Sequence, residues 1–142
     1  MQITSTSWKR LAICVVTMAI LGGYAGLAVS IKLSYYRLIG YAIMALWSYF
    51  VVTRKSIYPI KTRAYGHLAL TYFLSFGSGI ARKNEMAARM RQSADEVDYS
   101  TIANWAEGNV IAQIASLLFV IFLLMYIYQK IMDRRASTTS QL

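Results

Sequence analysis

The chain has 142 residues, 57% of them hydrophobic and only 15% charged, yet its formal net charge is +9. A soluble domain carries about a quarter charged residues to solvate its surface, so this balance excludes an ordinary soluble fold, and its apolar content excludes a disordered chain. Helices embedded in a lipid bilayer are the expected solution. The basic residues form no coherent face, so no nucleic-acid partner is expected despite the high charge.

Four stretches contain no Asp, Glu, Lys or Arg. The first, 11–31, lies between Lys9-Arg10 and Lys32; at about 1.5 Å per residue it covers a hydrocarbon core of about 30 Å. The second, 38–53, is short, but Arg37 and Arg54 at its ends add reach by snorkelling. The third, 64–81, is diluted by Gly66, His67, Gly77, Ser78 and Gly79 and is the least apolar. The fourth, 109–128, contains the unbroken run from Leu117 to Met125. Pro59, the single proline, falls between the second and third stretches, where a missing N–H costs nothing. Trp8, Tyr35, Tyr36, Tyr58, Tyr65, Tyr126 and Tyr128 lie where an interfacial aromatic belt would form.

The expected fold is therefore an all-α integral membrane protein, with four transmembrane helices in a small bundle and a short amphipathic helix in the loop before the last span. Residues 1–135 read as one polytopic membrane domain and 136–142 as a flexible tail. Gly26-Leu27-Ala28 resembles a signal-peptide cleavage site, but the apolar run exceeds a signal core of about 7–15 residues, so the first span is expected to be retained. Leu11-Ala12-Ile13-Cys14 lacks the small residue and preceding apolar core of a lipoprotein box. With four spans and a cytoplasmic N-terminus, the inside segments hold nine Lys and Arg and the outside ones six; the positive-inside rule favours this orientation, with both termini cytoplasmic. A three-span arrangement without 64–81 gives ten against five, so charge does not discriminate. Four spans are preferred because 64–81 is long enough to cross and its aromatic and leucine side chains have no soluble partner.

The only sizeable polar loop is 82–108. Met86, Ala87, Met90, Ala94 and Val97 recur there at helical spacing, with Glu85–Arg89 and Arg91–Asp95 as i,i+4 pairs. Met86, Met90, Arg89 and Trp105 are the interaction candidates of this loop. Asn104, with Glu107 three residues on, is a candidate cap for the last helix, which is expected to run to about Arg135.

Chemistry is sparse. No acidic or basic residue lies inside a proposed span, which argues against autonomous proton antiport. His67 is the only histidine and Cys14 the only cysteine, so an intrachain disulfide, bis-histidine haem and a metal site are not expected; His67 reads as structural. Gly22-Gly23-Tyr24-Ala25-Gly26 has no neighbouring strand or Lys-Ser/Thr and is no phosphate cradle. Gly22, Gly26 and Ser30 instead repeat at four-residue spacing, the pattern of close helix packing, echoed by Ser75 and Gly79 and by Ala112 and Ser116. Arg54, Lys55, Lys61 and Arg63 in the cytoplasmic connection suit anionic lipid.

The chain is therefore expected to be a non-enzymatic, cofactor-free membrane protein acting through protein contacts, as an accessory subunit, assembly factor or immunity-type protein. Its partner would be another membrane protein or a second copy, and its location a bacterial inner membrane. An oligomeric transporter or channel component, with Gln113, Ser116, Thr71, Ser75 and His67 as pore groups, is the alternative.

Overall fold

The computed structural model describes residues 5–93, 95–96 and 98–141. Four helices follow one another: α1 (Ser5–Ile31), α2 (Tyr36–Thr53), α3 (Lys61–Gln92) and α4 (Tyr99–Ser140). All are mutually in contact, and the antiparallel pair α3–α4 is the principal packing unit. Three of them, α1, α2 and α4, are long and apolar enough to cross a membrane.

The lengths of α3 and α4 alter the expected layout. At about 1.5 Å per residue, their 32 and 42 residues far exceed a hydrocarbon core of about 30 Å. The polar segment 82–92 is helical, but it is the continuation of α3 and not the separate amphipathic helix expected. The helix ends at Gln92, so Asp95 lies beyond it and cannot pair with Arg91 through i,i+4 geometry; the Glu85–Arg89 pair does form, at 2.8 Å. Ala94 and Val97, expected on the same apolar face, lie outside the described residues.

The start of α4 also differs. Its cap is Asp98, whose carboxylate accepts from the Ser100 N–H and hydroxyl, so the cap lies six residues ahead of Asn104. The hydroxyl and N–H bonds hold the Asp98 carboxyl below its ordinary range. At the other end α4 continues to Ser140, so 136–140 are helical where a frayed tail was expected. Thr62 Oγ1 donates to Asp133 Oδ2 at 2.7 Å, tying the start of α3 to the late turns of α4.

The sequence pattern of α3 explains its modest hydropathy. Thr71, Tyr72 and Ser75 face the bundle interior, whereas Leu70, Phe73 and Leu74 lie on its outside. The inward polar groups are satisfied: Thr71 donates to the His67 carbonyl, Ser75 to the Thr71 carbonyl, and Tyr72 shares a 2.7 Å hydrogen bond with Ser48 of α2. Trp47 of α2 donates to Thr17 of α1 at 2.8 Å, and Thr17 donates to the Ile13 carbonyl. Cross-helix hydrogen bonds of this kind supplement van der Waals packing where lipid removes the hydrophobic driving force.

Glycines set the helix approaches. A Cβ at Gly79 would stand 2.9 Å from the Gly108 carbonyl oxygen and from the Ala112 nitrogen; one at Gly108 would stand 2.9 Å from the Gly79 oxygen. The backbones of α3 and α4 therefore meet directly at this crossing. Gly40 of α2 fits similarly beneath Tyr24 and Ile114.

The α1–α2 turn carries one strained residue. Lys32 has φ 54°, with its N–H on the Val29 carbonyl and the Leu33 N–H on the Ala28 carbonyl. This is a Schellman closure, whose left-handed position normally holds glycine. A side chain there costs about 1–2 kcal/mol, so Lys32→Gly is expected to raise stability by about 1 kcal/mol. An unchanged or lower unfolding midpoint in detergent would contradict the assigned turn.

Candidate functional site

The charged side chains gather at the two ends of the bundle and at the tip of the α3–α4 hairpin. At the end holding the N-terminus of α1, Arg10 reaches across to the α2–α3 connection. Its Nη2 donates to the Ile57 carbonyl at 3.3 Å, its guanidinium lies 5.4 Å from the Tyr58 ring centroid, and its buried Nε has no partner among the described residues. Tyr58 is 2% exposed and hydrogen-bonded to His67 Nδ1. It is thus a buried latch between α1, the connection and α3, and not part of an interfacial belt. Trp8, Tyr35 and Tyr128 are exposed, the disposition a belt requires.

Burial pushes the Tyr58 phenol up to about 12, with the Arg10 charge opposing the shift. The sign follows from linkage: the folded state keeps a proton that the unfolded chain releases at about 10, so stability is full below about pH 10 and falls towards pH 12. Chemical unfolding measured against pH should show this fall, and Tyr58→Phe should reduce it; an identical alkaline fall in the variant would contradict the latch.

At the opposite end, Arg82 donates to Glu107 Oε2 at 3.0 Å and to Asn104 Oδ1 at 2.5 Å. Asn104 and Glu107 are therefore interior residues of α4 that receive an α3 guanidinium. Lys83 lies 5.6 Å from the Trp105 ring centroid. Together these pairs clamp the hairpin one turn beyond the Gly79–Gly108 crossing.

The predicted packing face of α1 is divided. A Cβ at Gly22 would meet nothing within 4 Å, Gly26 faces Glu107 at ordinary van der Waals range, and Ser30 is exposed and bonds back to the Gly26 carbonyl at 2.8 Å. Ser75 and Gly79 are buried, and Gly79 is part of the α3–α4 crossing. Among the loop candidates Met86 is buried, Met90 and Trp105 are half-buried, and Arg89 is exposed in its pair with Glu85. Arg54, Lys55, Lys61 and Arg63 are all exposed; Arg54 lies 4.2 Å over the Phe50 ring.

No family model, curated protein or solved structure matches this chain.

Function therefore rests on the geometry alone. Among the described residues, no three His, Cys, Asp or Glu side chains converge on a point. Gln113 is held by its side chain and its carbonyl: Tyr36 donates to Oε1 at 2.7 Å, and Tyr41 reaches the carbonyl at 3.5 Å. Sequence reasoning found Gln113 as a polar interruption of α4 but not its tyrosine partners, which are more than 70 positions away. Gly108 and the Arg82–Glu107–Asn104 clamp were missed as well. Their only signal is a glycine and a carboxylate one apart, opposite an arginine, in a segment read as loop.

Proposed function

We propose that this chain is a four-span membrane protein that acts through protein contacts, as an accessory subunit, assembly factor or immunity-type protector. The carrying observation is the hairpin that continues beyond the apolar segments of α3 and α4. It is fastened by the Gly79–Gly108 crossing and the Arg82–Glu107 pair, and it holds Tyr99 and Ile102 exposed at 70% and 45% on otherwise polar sequence. A preorganised helical pair bearing isolated aromatic and aliphatic side chains suits docking, since little entropy is lost on binding.

Support for the fourth span comes from the pairing of α3 with α4. Gly66 lies against Tyr126, Phe73 against Phe119 and Gly79 against Ala112, so 64–81 runs beside the apolar part of α4 at the same depth. Its outward side chains include Leu70, Phe73 and Leu74, whereas Thr71, Tyr72 and Ser75 turn inward. With α1 starting in the cytoplasm, both termini lie there, and a bacterial inner membrane is the location that suits the charge distribution.

The test is affinity isolation in mild detergent, with a photo-crosslinking residue at Tyr99. A discrete crosslinked membrane partner, lost when Ile102→Glu is added to the crosslinking variant, is the expected result. Recovery only as a partner-free monomer would overturn the proposal.

A further inference from the structure

We propose that the cleft between α2 and α4 at the Arg37 end is a seat for an anionic phospholipid. Its phosphate is held by Arg37 and Gln113, and one acyl chain lies along Leu117 and Val120. The cleft measures about 570 Å³ and is lined by Arg37, Tyr41, Gln113, Ser116, Leu117 and Val120.

The hydrogen-bond chain at its head has one consistent polarity. Arginine only donates, so Arg37 Nε donates to the Tyr36 hydroxyl at 3.2 Å, and that hydroxyl passes its own hydrogen to Gln113 Oε1 at 2.7 Å. The Gln113 amide is thereby fixed with its oxygen on Tyr36. Its nitrogen has no partner among the described residues and is not closed off from the surface. The remaining guanidinium donors of Arg37 are exposed, and Arg37 is in no ion pair among the described residues. An uncompensated guanidinium beside a free amide donor is a phosphate-binding pair, because arginine meets phosphate through two parallel N–H bonds.

The rest of the cleft matches the remainder of a lipid. From Gln113 to Val120 along α4 is about 10 Å at 1.5 Å per residue, and over that distance the lining changes from amide and hydroxyl to leucine and valine. Polar groups at one end and apolar side chains deeper in the bilayer reproduce the order of headgroup and chain. Charge complementarity selects an anionic lipid: Arg37 has no carboxylate partner among the described residues, and the whole chain is strongly basic.

The experiment is native mass spectrometry of the full-length protein in mild detergent with phosphatidylglycerol or phosphatidylcholine. Retention of phosphatidylglycerol is expected to be about tenfold higher, the scale of one charge-assisted hydrogen bond. Arg37→Gln and Gln113→Leu should abolish that preference, and Arg134→Gln, in the C-terminal turns of α4, should keep it. Leu117→Trp fills the apolar half and should lose the lipid while Arg37 is intact, with circular dichroism verifying that the bundle is folded; it decides the matter if Arg37→Gln does not fold. Equal retention of both lipids, or a preference surviving in folded Leu117→Trp, would overturn the proposal. Disulfide-linked dimers of Leu117→Cys in a Cys14→Ser background, formed in bilayers without retained lipid, would put a second copy in the cleft and overturn it too.

Discussion

Gly79→Leu is expected to force α3 and α4 apart and to lower stability by about 3 kcal/mol or more, the upper range of overpacking penalties. The reason is the identity of the neighbours. Even a methyl group at this position would stand 2.9 Å from the Gly108 oxygen and the Ala112 nitrogen, both backbone atoms of α4. A crowded side chain turns to another rotamer, but a crowded backbone moves only with its helix. Gly77 provides the contrast two residues away: a Cβ there would meet nothing within 4 Å. Gly77→Leu should be neutral or gain up to about 1 kcal/mol in helix propensity. Unfolding midpoints in one detergent decide it, and equal midpoints for the two variants would mean that the backbones do not meet at Gly79.

Tyr72→Ala is expected to cost about 3–5 kcal/mol, as for a large aromatic removed from a packed interior. Tyr72 has 0% exposure, stacks on Phe122 of α4 with ring centroids 5.7 Å apart, and shares its hydroxyl with Ser48 of α2. Truncation therefore opens a void touching three helices. Tyr72→Phe separates the two contributions, because a hydrogen bond between membrane helices is worth about 0.6 kcal/mol on average. The ring should account for most of the loss. If Tyr72→Phe proved as damaging as Tyr72→Ala, the hydroxyl bond and not the packing would hold α2 to the hairpin.

How much of this was legible in the sequence varied from helix to helix, for physical reasons. The uncharged runs of α1, α2 and α4 announce themselves, because lipid demands apolar side chains around most of such a helix. The run in α3 is weaker since Thr71, Tyr72 and Ser75 turn inward and bond to protein groups, and averaging along the chain hides that sidedness. The small-residue spacing of Ser75 and Gly79 was visible, but its counterpart Gly108 fell in a stretch whose charges suggested a loop. Those charges belong to a helical hairpin: Arg82 of α3 neutralises Glu107 of α4, a pairing no local window contains. Asp98 ahead of Ser100 is a readable cap, yet Asn104 and Glu107 offer an equally regular one. Only the contact with Arg82 shows that Asn104 and Glu107 serve the helix interior. The head of the α2–α4 cleft was hidden similarly, because Tyr36 and Gln113 lie 77 positions apart.

Whether α3 crosses the membrane beside α4 decides the side on which the hairpin tip and the termini lie and the depth of the Arg37 cleft. The direct measurement is the labelling of single cysteines at Ser93 and Ser140, in a Cys14→Ser background, by a membrane-impermeant thiol reagent on intact cells. Ser93→Cys labelled from outside, with Ser140→Cys labelled only after lysis, is the predicted result. Ser93→Cys protected until lysis and Ser140→Cys labelled from outside would contradict it and leave a three-span protein.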